Sequence, residues 1–340
     1  MKQIGGNAIV IKEVNVNFVR KALKTQGRAT KQQLAQATGL SIVTVGTVLR
    51  LLLLEGEVLE GEPISSSGGR PARQYEYNAE YALALLLFPH ESNGTIKARS
   101  TVVNLMGALV FETDEPVETI DMPTLERIID ERIASYPSMR AIGLGLPGAE
   151  YDGKMIVSDY EALLGVSVTE HLRTRYGKPV IMENDVNAAV IGYGERTGAG
   201  EQSTIVYLFF PERYPPGAGI LIQGKLYKGR GHYAGEVANI PLGVSWGDAS
   251  LMNSFDELCE AIAKLTVAVS SVLDPNVVVL HGRLISQEHL CSIADKCGAR
   301  LPKTAVPAIM LSNDFEADYL NGLIALTLAT LEPTIVLSRK

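Results

Sequence analysis

The 340-residue chain is poor in cysteine. Its three, Cys259, Cys291 and Cys297, are odd in number and share no CxxC spacing, which argues against a disulfide framework or a structural zinc and for a reducing compartment. Long apolar runs are also missing. The stretches 51–54 and 83–88 are far short of a membrane span, and the N-terminal MKQIGGNAIVIKEVN has no extended apolar core. A soluble cytoplasmic protein with no membrane partner is therefore expected. No internal repeat or low-complexity segment is evident. There is no overall cationic excess either, since net charge is -7. At 46% hydrophobic and 20% charged residues, the composition is that of a globular chain long enough for two or three domains.

The charge is unevenly distributed. Residues 1–78 hold ten Lys/Arg against six Asp/Glu, a net +4, while the remaining 262 hold 21 against 32, a net -11. A basic segment on an acidic body fits a chain in which only one module meets phosphates.

That segment contains TKQQLAQATGLSIVTVGTVLRLLLLEG, residues 30–56, which reads as two helices joined by a tight turn. Thr30 and Gln33 have capping-box spacing, Gly39 suits a left-handed helix end, and Ser41 is placed to cap the second helix. In that helix Val45, Val48, Leu49 and Leu52 form a buried stripe, which turns Val43, Thr44, Thr47 and Arg50 outward as a candidate base-reading face. A helix over 17–26 packs beneath, and Lys21, Lys24, Arg28 and Lys31 gather near its end as candidate phosphate contacts. Two short strands, 57–62 and 74–78, flank the polar loop PISSSGGRPAR, so the reading is a winged helix. Arg70 and Arg73 are candidate minor-groove contacts, or else part of an interdomain linker. The candidate DNA-binding set is Lys31, Ser41, Thr44, Thr47, Arg50, Arg70 and Arg73.

From Tyr81 onward, strands alternate with helices: strands at 83–88, 95–104 and 108–113, a helix over 122–135, a strand at 141–146 ending in Pro147-Gly148, and later a strand at 276–282 and an apolar helix over 319–331. Ligands in α/β sheets sit beyond the carboxyl ends of strands, which marks GLGLPGAEYDGK and VIMENDVNAAVIGYGE as ligand-proximal. Asn184 and Asp185 stand at such a strand end, either to hold sugar hydroxyls or simply to cap the next helix.

GRATKQQLAQATGLSIVTVGTVLRLLLLEGEVLEG with SSSGGRPARQYEYN resembles the DNA-binding half of the ROK family of repressors, open reading frames and kinases. PPGAGILIQGKLYKGRGHYAGEVANIPLG is similar to that family's second glycine-rich segment and AGE element. The resemblance implies a two-lobed sugar-kinase-like α/β body of the actin/hexokinase, ribonuclease H-like type, behind an N-terminal winged helix-turn-helix. The expected division is 1–78 for the DNA-binding domain, 79–190 plus 320–340 for the first lobe, and 191–319 for the second. It further implies sugar contacts from Asn184, Asp185, Glu236 and Gly148, with Asp185 at the position of the kinase base. The chain departs from the family in four places. Gly46, Ile42 and Val43 stand where the recognition helix often has Ser and basic residues. Ala238-Asn239 replaces Gly-His, and 158–161 departs from Pro-Asn-Leu. No cysteine-rich zinc loop follows Glu236, so no metal is expected. Isolated His232 and His281 read as structural.

The kinases' Asp-x-Gly-Gly-Thr loop is replaced by FPHESNG, residues 88–94, and Tyr214-Pro215-Pro216 precedes the second loop. Phosphoryl transfer depends on donors around the departing phosphates, so no kinase activity and no cofactor are expected. The expected function is a repressor of carbohydrate genes, acting as a homodimer or tetramer on a double-stranded DNA operator and sensing a sugar or sugar derivative. An active sugar kinase with a DNA-binding head, and a repressor regulated by a protein partner, remain the alternatives.

Overall fold

The computed structural model describes residues 4–64, 71–92, 94–158, 160–199, 202–211 and 214–332. Helix α1 (Ile4–Gln26) starts well before the expected residue 17, because no proline interrupts 7–16 and buried Val16 continues the Val19–Leu23 stripe at helical spacing. A short strand, β1 (Arg28–Thr30), leads into α2 (Lys31–Thr38), α3 (Ile42–Glu55) and the strand pair β2 (Val58–Ile64) and β3 (Ala72–Tyr77). Local chemistry sets these boundaries. Thr30 Oγ1 accepts from the Gln33 amide while Gln33 Oε1 accepts from the Thr30 amide, and Gly39 at φ 71° ends α2 in a conformation that only glycine adopts without strain. Ser41 Oγ then accepts from the Thr44 amide, and α2 and α3 meet at 112°. Leu23, Leu34, Leu49 and Leu52 are fully buried between the three helices and the sheet, each worth roughly 2–3 kcal/mol of apolar transfer. β3 pairs with both β1 and β2, so the sheet has one more strand than expected.

Two five-stranded sheets follow. The first contains β4 (Leu83–Ser92), β5 (Thr95–Asn104), β6 (Leu109–Pro116), β7 (Met139–Gly145) and, after the small hairpin β8 (Gly148–Tyr151) and β9 (Lys154–Ser158), β10 (Val180–Glu183). Its order is β10-β7-β4-β5-β6, with α4 (Met122–Ser135) and α5 (Val168–Tyr176) supplying the crossovers. After α6 (Asp185–Thr197), the second sheet is built from β11 (Thr204–Phe209), β12 (Gly217–Ile222), β13 (Lys225–Leu226), β14 (Val277–His281) and β15 (Ala308–Leu311), in the order β13-β12-β11-β14-β15. Helices α7 (Ala249–Asn253), α8 (Phe255–Leu273) and α9 (Gln287–Gly298) belong to this half, and α10 (Phe315–Ala329) closes the described chain. Each sheet is an antiparallel three-strand meander extended by two parallel strands. The two halves thus repeat in topology, although no repeat is evident in the sequence.

Helices α6 and α10 cross between the sheets in backbone contact. A Cβ on Gly192 would lie 1.9 Å from the Asp318 carbonyl oxygen, and one on Gly322 would lie 1.8 Å from that of Ala188. α6 runs through the expected lobe boundary at 190 and serves both sheets. Beside the crossing, fully buried Asp318 accepts from Arg196 Nε and Nη2 at 3.0 and 2.8 Å, from Ser312 Oγ at 2.7 Å and from Tyr207 Oη at 3.2 Å. A carboxylate carried this deep is tolerated only when its lone pairs are met, and these partners come from α6, β11 and the segment after β15.

Candidate functional site

Strands β7 and β10 run parallel, and their carboxyl ends open into a cleft of about 1660 Å³ between the sheets. Gly148 enters the cleft from the turn after β7, Asn184 and Asp185 from the end of β10, and Glu236 from the loop after β13, so all four predicted ligand residues line one space. Asn184 also caps α6, its Oδ1 accepting from the Val186 amide at 3.0 Å. The reading of this residue as a helix cap is therefore met as well. Gly235, at φ 104°, packs so tightly on Ala218 that a Cβ would come within 2.2 Å of the carbonyl oxygen, and this fixes the position of Glu236.

Glu183, Lys228, Glu150 and Thr169 escaped the sequence reading, while His232 and His281, read as structural, each contact a backbone carbonyl. Glu183 is buried at the end of β10, where its carboxylate accepts from the Asn184 amide and from Asn187 Nδ2, both at 3.1 Å, and pairs with Lys228 Nζ at 2.6 Å. Lys228 belongs to the second half, so this ion pair crosses the cleft. His232 crosses it too, with Nδ1 2.7 Å from the Glu150 carbonyl oxygen, while the Glu150 carboxylate is held by Thr169 Oγ1 at 2.7 Å. His281 directs Nδ1 to the Ser312 carbonyl at 2.8 Å. The one available sequence signal was Glu183, since a carboxylate closing a buried apolar strand requires a partner.

The far side of the cleft is built differently. β4 and β5 pair without interruption from Leu83↔Asn104 to Ser92↔Thr95, so β4 runs past its expected end at Phe88 into the segment that replaces the kinases' loop. Phe88 packs on Tyr319 at 4.9 Å, and Phe315 stacks on Phe209 at 4.1 Å and 12°. Burial pushes the Tyr319 phenol well above its usual pKa of 10.0, with the nearby Asp185 carboxylate adding to the shift. Arg99 joins Asp114 on β6 to Glu316 on α10 through contacts of 2.8, 2.9 and 3.1 Å.

In the N-terminal unit, Lys31, Ser41, Thr47 and Arg50 are exposed and Thr44 is half-buried along one side of α2 and α3. Arg73 is exposed but pairs with Glu60 at 2.6 Å. Arg70 lies outside the described residues.

The match to known proteins falls on the cleft: the family model described as ROK family covers residues 93–244. The chain carries a ROK family domain. Over 239 residues it is 24% identical to the xylose repressor of Bacillus subtilis (strain 168), covering 68% of this chain and 61% of that repressor. The chain thus spans about three-fifths of the length of the repressors it matches. An N-acetyl-D-glucosamine kinase of Vibrio atlanticus is 32% identical over 103 residues, 30% of this chain and 33% of the kinase. Among solved structures, a ROK family transcriptional regulator described as a homolog of the E. coli MLC protein superposes with a TM-score of 0.66 at 15% identity, covering 95% of this chain and 98% of that one. The ROK hexokinase of Thermus thermophilus gives 0.57 at 17% identity, covering 72% and 96%. These likenesses establish the ROK sugar-kinase-like α/β fold.

Proposed function

We propose that this ROK protein is a sugar-responsive transcriptional repressor and not a kinase. The observation that carries the reading is the asymmetry of the cleft. One end keeps Asn184, Asp185 and Glu236, an amide and two carboxylates suited to sugar hydroxyls. At the other end β4 and β5 engage their backbone groups in an unbroken ladder around donor-free Pro89, and Phe88, Tyr319, Phe315 and Phe209 form an aromatic wall. An amide that donates across the ladder is not free to cradle a triphosphate, and Pro89 has no N–H to give. The B. subtilis relative is a xylose repressor, in keeping with a sugar as effector.

In this reading residues 1–78 form a winged helix-turn-helix whose α3 enters the major groove. Lys31, Ser41, Thr44, Thr47 and Arg50 face the DNA there, with Arg73 on β3 and the sequence-predicted Arg70 as further contacts. Paired heads in a cytoplasmic homodimer bind two operator half-sites. A sugar that prefers one closure of the cleft over another shifts the spacing of those heads by its differential affinity.

The test uses the purified chain. A sugar panel should yield one ligand that raises the melting temperature, since a hundredfold excess over Kd stabilises by about 2.7 kcal/mol. The same sugar should change retention of duplexes taken from carbohydrate promoters. Asp185→Ala should lose the thermal shift and keep DNA retention. Sugar-dependent ATP hydrolysis, or failure to retain any duplex, would sink the proposal.

A further inference from the structure

We infer that α3 reads thymine through its 5-methyl group, using Ile42 and Val43. The inference rests on the proposed operator binding and names what that surface recognises. Ile42 and Val43 are 56% and 78% exposed in the first turn of α3, an unusual place for two β-branched apolar side chains. The hydroxyls around them, and Nε of Arg50, already have partners within the helix and its cap. Ser41 Oγ accepts from the Thr44 amide at 3.1 Å and lies 2.8 Å from the Thr44 hydroxyl. Thr47 Oγ1 donates to the Val43 carbonyl at 3.1 Å, and Arg50 Nε donates to the Gly46 carbonyl at 3.3 Å. What the turn offers outward is two stiff apolar branches, each with few rotamers to lose on docking.

The occupant is DNA by charge. Residues 31–54 contain Lys31 and Arg50 and no acidic residue. Lys31 of α2 lies along α3, with Nζ 3.8 Å from the point a Cβ on Gly46 would occupy, an ordinary van der Waals distance. An apolar pair framed by cations matches a groove floor bordered by phosphates. On the major-groove edges of the base pairs the apolar feature is the thymine methyl. Gly46, Ile42 and Val43 stand where the family often has Ser and basic residues, and in this reading Ile42 and Val43 turn recognition toward methyl-bearing thymine.

The experiment selects duplexes from a random library with the full chain, then replaces each thymine of the enriched site by deoxyuridine, which removes the methyl and leaves base pairing intact. Wild-type protein should lose about fourfold in affinity for each methyl in contact, the effect of exposing one buried methyl-sized group. Val43→Ala, at a position exposed enough to spare the core, should bind the thymine duplex more weakly and lose that sensitivity to deoxyuridine, with Ile42→Ala doing the same at a neighbouring base. Equal binding of thymine and deoxyuridine duplexes, or full sensitivity kept by both variants, overturns the methyl readout while leaving operator binding intact. No enrichment of any duplex overturns both.

Discussion

Asp114 is the residue whose titration can be followed to a measurable outcome. The bidentate grip of Arg99 holds its carboxyl at about 2 rather than 3.8, with His90 Nε2 at 3.1 Å adding a second contact. A carboxyl depressed in the folded state contributes stability that is fully present above its unfolded value and disappears as pH falls through the folded one. The stability gap between wild type and Asp114→Asn should therefore be constant above about pH 4 and shrink between there and pH 2, as read by urea denaturation. A gap that stays constant across that window would show that the grip is not formed. Neither Arg99 nor Asp114 stood out in the sequence, because an ion pair joining β5 to β6 depends on register. Asn184 and Asp185 were legible because a strand end and a helix start adjoin there in sequence. Lys228 was not, since its partner Glu183 lies across the cleft on the other sheet.

Among the elements, the N-terminal helices were read best, because caps are short-range chemistry carried by Thr30, Gln33, Gly39 and Ser41 themselves. Removing the reciprocal cap by Thr30→Ala should lower stability by about 1 kcal/mol, with thermal or urea unfolding as the measure. The start of α1 was misread because residues 7–16 carry neither a breaker nor a cap to mark it. The expected end of β4 at Phe88 followed the apolar run, whereas pairing with β5 continues to Ser92. The two sheets share a strand plan that no residue-level repeat announces, since topology constrains only which positions are buried.

For the molecule as a whole, the α6–α10 crossing holds the halves together. Gly192→Ala places a methyl against a main-chain oxygen, a neighbour that cannot rotate away, so the helices must separate. A loss of about 1–3 kcal/mol is expected from such overpacking, measured by urea unfolding, and an unchanged midpoint would mean that the contact is looser than described. This contact was not legible beforehand, because small residues 130 positions apart meet only in the folded chain.

The position of that contact along α10 has a mechanical consequence. Gly322 is the middle residue of Phe315–Ala329, leaving seven residues, about 10 Å, on either side. One arm ends among the aromatic side chains of the cleft at Phe315 and Tyr319, and the other leads to Glu332, 3.4 Å from Lys24 of α1. The close contact with α6 spans Asp318 to Gly322 and so lies between these two ends. One continuous helix thus links the aromatic side chains of the cleft to the helix that packs against α2 and α3.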